Sequence, residues 1–110
     1  MKKGPALEAL GALAHEHRLA VFRLLVQAGP EGRAAGDIAE ALAMPASSLS
    51  FHLAHLARAG LIAPRRAGRS LIYSADFDAM NGLVGFLTEN CCGGASCAPE
   101  ARRAAKRKAG

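Results

Sequence analysis

The chain has 110 residues, of which 51% are hydrophobic, and it carries a formal net charge of +5 at pH 7. This length accommodates one domain, and the small core that it allows favours dimerisation. No apolar run approaches the roughly 20 residues of a bilayer-spanning helix, and charged and imidazole side chains interrupt the apolar stretch near the start, so neither a membrane anchor nor a signal peptide is expected. These features predict a cytoplasmic protein.

The spacing of apolar residues predicts, in chain order, four helices, a β-hairpin and a last helix. Met44-Pro45 separates the third helix from the fourth, and Gly60 is expected to end the fourth as a left-handed cap. A short helix, a tight turn, a second helix and a hairpin predict a mainly α winged helix-turn-helix fold, in the order α-α-α-α-β-β-α. The predicted helices cover 6–14, 18–28, 37–43, 47–59 and a stretch from Ala75 or Asp76 to a stop at Gly93-Gly94; the predicted strands cover 61–63 and 70–73, joined by a loop over 64–69.

The charges are segregated along the chain. From Ala41 to Ala75 there is no Asp or Glu but there are four arginines, whereas from Ser70 to Ala101 there is no Lys or Arg. A basic excess is often only a solvated face, but a 35-residue stretch without carboxylates favours a polyanionic partner.

The predicted fourth helix lies inside this stretch and has one apolar side. Leu49, Leu53 and Leu56 fall on one stripe and should face the core, whereas its first turn contains Ser47 and Ser48. A DNA-recognition helix places its N-terminal residues against base edges and phosphates. Small side chains let the backbone approach, and hydroxyls donate to phosphates. Serines at a helix start are also common as plain caps, so the helix alone leaves both interpretations open.

The arginine-rich segment after this helix is a candidate wing. Arg65, Arg66 and Arg69 would lie along the phosphate backbone or reach into the minor groove. The alternative is a solvated loop with no partner. His55 and Arg58 are candidate neighbours of the phosphates.

The segments SLSFHLAHLARAGLI and RRAGRSLIY resemble the recognition helix and wing of the arsenic-repressor (ArsR/SmtB-type) family of winged helix-turn-helix metalloregulators. The resemblance extends over roughly Leu7 to Leu87, and it implies a homodimeric transcriptional repressor that leaves double-stranded operator DNA when an inducer binds. Its motif adds Ser50, His52 and Tyr73 as candidate contacts, although His52 has packing against a neighbouring helix as an equal alternative. The full predicted DNA-contacting set is Ser47, Ser48, Ser50, His52, His55, Arg58, Arg65, Arg66, Arg69 and Tyr73.

All three cysteines lie in the segment NCCGGASC, at positions 91, 92 and 97. A disulfide is disfavoured in a reducing compartment, and no nearby Lys, Arg or His activates a nucleophile, so a thiol enzyme or redox regulator is the weaker interpretation. Three thiolates suit a soft, thiophilic ion. Trivalent arsenic binds three sulfurs in a pyramid, whereas zinc prefers a fourth ligand. We therefore predict that Cys91, Cys92 and Cys97 bind arsenite as inducer, with antimonite as a second candidate and methylarsenite, which needs only two thiols, as an alternative.

The chain also departs from branches of the family that place their inducer elsewhere. The short third helix carries no cysteine, and the last helix carries no histidine. The paired histidines at 15 and 17 are interpreted as solvated rather than as a metal site. We expect a DNA-binding and dimerisation domain over residues 1–90, a cysteine segment over 91–97 and a basic, disordered tail over 98–110, with no required cofactor and no catalytic residues.

Overall fold

The structure, a computed structural model, describes residues 1–94. Five helices and a three-stranded antiparallel sheet form the winged helix-turn-helix fold that the sequence predicts. None of the helices in this part of the chain is long and apolar enough to cross a bilayer. The elements are α1 (Lys3–Leu13), α2 (Glu16–Ala28), β1 (Arg33–Ala34), α3 (Ala35–Ala41), α4 (Ala46–Arg58), β2 (Ile62–Ala67), β3 (Ser70–Ala75), α5 (Phe77–Leu87) and a 3-10 turn (Cys91–Gly94).

The junction between α1 and α2 is fixed by side chains that bond to the backbone. The His15 Nδ1 atom accepts a hydrogen bond from the His17 backbone N–H at 3.1 Å and so caps α2. The Arg18 Nε atom donates to the Ala12 carbonyl at 2.6 Å, which places a cation at the negative end of α1. These bonds hold α2 at a fixed angle to the helix before it.

One hydrophobic core joins all five helices and the sheet. Alanines form the buried side of α1, whereas Leu7 and Leu10 of the same helix are exposed. The side chains of α4 that enter the core are its three leucines and His52. The core residues are Ala6, Ala9, Ala12, Val21, Phe22, Leu25, Ile38, Met44, Leu49, Leu53, Leu56, Leu61, Ile62, Ala75 and Leu83.

The end of α4 confirms the predicted glycine cap. Gly60 has a φ of 78°, and its N–H donates to the Ala57 carbonyl while the Leu61 N–H donates to the Leu56 carbonyl. This pair of bonds is the Schellman arrangement, which satisfies carbonyls that the helix itself leaves unpaired. It turns the chain directly from α4 into β2.

The wing differs from the sequence prediction in two respects. Strands β2 and β3 run on to Ala67 and Ser70, so the predicted six-residue loop is a two-residue turn, and β1 adds a third strand in the order β1-β3-β2. Pro64 made residues 64–69 resemble a loop, but β2 is an edge strand, where a residue without an N–H is tolerated. Strand β1 has only two residues, too few for a periodic signal.

The last helix is shorter than predicted, since it ends at Leu87 rather than at the glycine pair. The Thr88 hydroxyl donates to the Val84 carbonyl at 2.8 Å, and Asn90 then takes a φ of 56°. A left-handed backbone cannot continue a right-handed helix. The cysteines at 91 and 92 therefore lie in a separate turn beyond α5.

The backbone at Gly32 lies close to the backbone of β3, and this contact can be tested by mutation. A Cβ atom on Gly32 would overlap the Tyr73 carbonyl in β3, and its φ is 73°. Gly68 in the hairpin turn has a similar φ of 62° but no atom within 4 Å of such a Cβ, so it is a matched control. We expect Gly68→Ala to lower the free energy of unfolding by about 1–2 kcal/mol through backbone strain alone. Gly32→Ala should lose distinctly more in urea unfolding followed by circular dichroism; equal losses would show that β1 does not pack on β3 as described.

Candidate nucleic-acid interface

The exposed side of α4 is a continuous strip opposite the leucines. A helix turns 100° per residue, so the residues at 47, 51, 54 and 58 fall on the side away from the buried residues at 49, 52, 53 and 56. All four outward residues are exposed: Ser47, Phe51, Ala54 and Arg58. We call these four residues the outer strip of α4. It combines a hydroxyl, an aromatic ring, a methyl group and a guanidinium.

The first turn of α4 is open and polar, as a phosphate-binding helix start would be. Ser47 and Ser48 in this turn and Ser50 just after it are exposed, and no side chain within residues 1–94 caps this end of the helix. Its N–H groups and the positive end of the helix dipole are therefore available to an anion. Contact of these serines with DNA stays a prediction, for which the geometry provides the necessary access.

His52 does not belong to this surface. Its side chain is only 8% exposed, and its ring centroid lies 4.8 Å from that of His15 and 5.8 Å from that of His17. Position 52 lies at the edge of the buried side of the helix, about 40° from Leu56. We therefore correct its assignment as a DNA contact: it packs against the junction of α1 and α2.

The environment of His52 favours its neutral form. Burial, and then the positive charges of His15, Arg18, His17 and His55, lower its pKa below the 6.5 of a free imidazole. Its Nδ1 atom is buried and has no hydrogen-bond partner among the described residues. Although three imidazoles meet here, no group of three or more His, Cys, Asp or Glu side chains within residues 1–94 is arranged to hold a metal ion.

His55 occupies the flank of α4 between its exposed and buried sides. Partial burial, followed by the charges of Arg18, Arg58 and His15, lowers the pKa of His55. With Arg58 it lines an open cleft between α4 and α1, whose opposite wall includes Glu8. A proton taken up by His55 would therefore add to a surface that is already basic.

The wing arginines do not all point the same way. Arg65 and Arg66 are consecutive in β2, so their side chains leave opposite faces of the hairpin. The Arg65 Nη2 atom donates to the Glu31 carbonyl at 2.8 Å, which ties this side chain to the body of the domain. Arg66 pairs with Leu71 across the hairpin, and Arg69 lies in the two-residue turn at its tip; both are exposed. Arg66 and Arg69 are thus the wing arginines that a polyanion reaches without breaking a bond to any described residue.

Tyr73 lies near the base of the wing rather than at its tip. It is half-buried and occupies the central strand, where it pairs with Arg33 in β1 and Pro64 in β2. Its ring is on the same face of β3 as Leu71, two residues away. This position is compatible with two roles for Tyr73: packing that supports the wing, and contact with DNA.

The described cysteines lie apart from α4 in sequence and follow α5. The Sγ atoms of Cys91 and Cys92 are 3.9 Å apart, and the backbone is left-handed at Asn90, Cys92 and Gly93. Cys97 and the predicted basic tail over 98–110 lie outside the described residues.

Comparisons with known proteins agree with this geometry. A helix-turn-helix domain family matches residues 13–65, which run from the end of α1 into β2 of the wing. The HTH-type transcriptional regulator YgaV of Escherichia coli (strain K12) is 31% identical over 87 residues, which cover 79% of this chain and 86% of YgaV.

Solved structures extend the likeness to three dimensions. The homodimeric winged helix-turn-helix DNA-binding domain Mb0332 from Mycobacterium bovis, described as a possible ArsR-family regulator, is 26% identical with a TM-score of 0.64, covering 86% of this chain and 88% of that one. A crystal structure described as a possible transcriptional regulator for arsenical resistance is also 26% identical, with a TM-score of 0.64, covering 73% and 80%.

The fold and these relatives define a DNA-binding transcriptional regulator rather than an enzyme. The chain belongs to the ArsR/SmtB family of winged helix-turn-helix regulators.

The lowered pKa of His52 predicts how stability depends on pH. As pH falls below about 6.5, the unfolded chain takes up a proton at this position before the folded chain does. The free energy of unfolding should therefore decrease from pH 7 towards pH 5, and His52→Gln should flatten that decrease in urea titrations. Measurements stop at pH 5 because carboxylates titrate below it. A variant with the parent's slope would show that another group is responsible.

The geometry of the wing predicts unequal roles for its arginines. Removing one phosphate-binding cation should reduce the slope of log affinity against log salt concentration by about 0.9. We expect Arg66→Ala and Arg69→Ala each to produce this change in fluorescence anisotropy with duplex DNA. Arg65→Ala should produce less, because its guanidinium is already bonded to the Glu31 carbonyl. If all three variants keep the parent's slope, the wing does not contact phosphates.

Proposed function

We propose that this protein is a homodimeric transcriptional repressor that binds operator DNA through α4 and the wing. In this proposal, trivalent arsenic binds to Cys91, Cys92 and Cys97, releases the protein from DNA and so derepresses arsenic-resistance genes. Antimonite is a second inducer on the same chemical grounds. The observation that supports an arsenic site is that the Cys91 and Cys92 thiols lie side by side, with Cys97 five residues further along the chain.

The separation of the Cys91 and Cys92 sulfurs suits a shared ion. Two thiolates that bind one soft ion through bonds of about 2.3 Å, the length of a zinc–sulfur bond, lie within about 4 Å of each other. The 3.9 Å between these sulfurs is close to that value and far longer than the ~2.05 Å of a disulfide. Cys92 is exposed and Cys91 is partly so, which leaves access for a small solute.

The choice of ion follows from the number of soft ligands. Two described sulfurs and Cys97 supply three thiolates, which complete the pyramid of trivalent arsenic but leave a zinc ion short of a fourth ligand. The described residues contain no group of three or more ligating side chains that would serve zinc instead. The similarity to a protein described as a possible transcriptional regulator for arsenical resistance supports the same choice.

The dimer is supported by apolar side chains that the single chain leaves uncovered. Leu7 and Leu10 on α1 and Val84 and Leu87 on α5 are exposed, with Leu7 and Leu87 each 59% exposed. Helices α1 and α5 contact each other, so these side chains can belong to one surface. A contiguous exposed apolar surface is typical of an oligomer interface. The similar Mb0332 domain is homodimeric.

Packing provides a route from the thiols to the DNA-binding helix. The cysteine turn follows α5, α5 contacts α1, and α1 contacts α4. An ion that orders the turn would bias the position of α5, and through the dimer surface it would change the spacing of the two α4 helices. In dimeric helix-turn-helix proteins the recognition helices must reach major grooves about 34–36 Å apart. A small shift therefore weakens operator binding.

The direct test is anisotropy of a labelled promoter fragment, titrated with protein and then with arsenite under a non-thiol reductant. We expect arsenite to lower operator affinity about 5–150-fold, the range of typical allosteric coupling. Cys91→Ser and Cys92→Ser should bind the operator like the parent but remain bound when arsenite is added. The reductant prevents disulfide formation, so release under these conditions is not oxidation.

The matched control is a protein with all three cysteines replaced by serine. Release of this variant by arsenite would place the sensor elsewhere and refute the proposal. Release of Cys97→Ser by methylarsenite but not by arsenite would confirm a third thiol for the inorganic ion. Equimolar zinc should leave the parent protein on its operator.

A further inference from the structure

Phe51 is an exposed aromatic ring in the middle of the outer strip of α4. It is 64% exposed, whereas the leucines of the same helix are at most 2% exposed. Single apolar side chains on a surface need no explanation by themselves. The position and surroundings of this ring, however, match one particular partner.

The ring lies where a recognition helix meets base edges. Phe51 is four residues after Ser47 and three before Ala54, on the side of α4 opposite the core. Ala54 is small, so the ring has no large neighbour beside it along the strip. The His52 ring makes an edge contact with Phe51 at 5.9 Å between centroids, which braces it from the buried side.

The charge around Phe51 favours DNA over a protein as the occupant of this surface. Arg58 continues the same strip, the wing arginines follow, and the whole stretch from Ala41 to Ala75 is free of Asp and Glu. A phenyl ring gains nothing from phosphates and cannot hydrogen-bond to base edges. The apolar group that bases offer in the major groove is the C5-methyl group of thymine.

We propose that Phe51 is a specificity-determining residue whose ring packs against a thymine methyl group in each half-site of the operator. The inference rests on operator binding through α4 and adds the base that this side chain reads. Ser47 and Arg58, at either side of the ring on the outer strip, position the helix through polar contacts. Phe51 supplies the discrimination between thymine and bases that lack the methyl group.

The test removes only the methyl group. An operator is first selected from random duplex DNA with the full chain, and each thymine is then replaced by uracil symmetrically in both half-sites. At one position per half-site, uracil should weaken binding of the parent about 4-fold for each methyl, the equivalent of about 0.8 kcal/mol per buried carbon group. Phe51→Ala should bind the thymine and uracil operators equally, and Phe51→Leu should retain part of the difference.

Leu19→Ala is the matched control, because Leu19 is also an exposed apolar residue on a helix but lies on α2. It should keep the parent's thymine preference. The inference is overturned if the parent has no methyl-sensitive position, if Phe51→Ala keeps the same preference, or if Phe51→Ala changes the oligomeric state instead. A parent protein that selects no DNA sequence would refute operator binding itself, whereas selective binding without methyl sensitivity removes only the role of Phe51.

Discussion

The burial of three leucines fixes how α4 is rotated about its own axis. Leu49, Leu53 and Leu56 enter a core to which α1, α2, α3 and β2 also contribute, and α4 contacts each of these elements. Turning the helix about its axis by half a turn would expose these leucines and bury the Ser47 hydroxyl and the Arg58 guanidinium instead. Replacing one buried leucine by alanine typically costs about 2–5 kcal/mol, so the exposure of all three is strongly unfavourable. The outer strip therefore points away from the core as a consequence of packing.

The same packing explains why His52 and Phe51, which are adjacent in sequence, have different roles. One residue of helix separates a side chain inside the domain from one on its outer face. His52 joins α4 to the α1–α2 junction and does so in a cationic neighbourhood that lowers its pKa. Phe51 remains available to a partner. His52 thus packs at the α1–α2 junction, whereas the neighbouring Phe51 is the residue proposed to contact DNA.

Much of this arrangement was predictable from the sequence because its signals are local. The leucine spacing of α4 and the glycine after it are fixed by helix geometry and by the left-handed backbone at Gly60. The predicted wing strands were too short because a proline and three arginines interrupt the alternation of apolar and polar residues. Pro64 is tolerated because β2 lies at the edge of the sheet, and that position depends on the tertiary fold. The alanine side of α1 was hidden by Leu7 and Leu10, which face outward. The buried position of His52 depends on α1 and α2, which the motif around it does not encode.

In the proposed function, the thiol turn and the operator surface are coupled through α5, α1 and the dimer. Coupling of this kind is reciprocal, so operator DNA must weaken arsenite binding by the same factor by which arsenite weakens operator binding. The decisive measurement is calorimetric titration of arsenite into the free protein and into its saturated operator complex. We expect weaker arsenite binding to the complex, by a factor equal to the loss of operator affinity. Equal arsenite affinity in the two titrations would contradict the coupling.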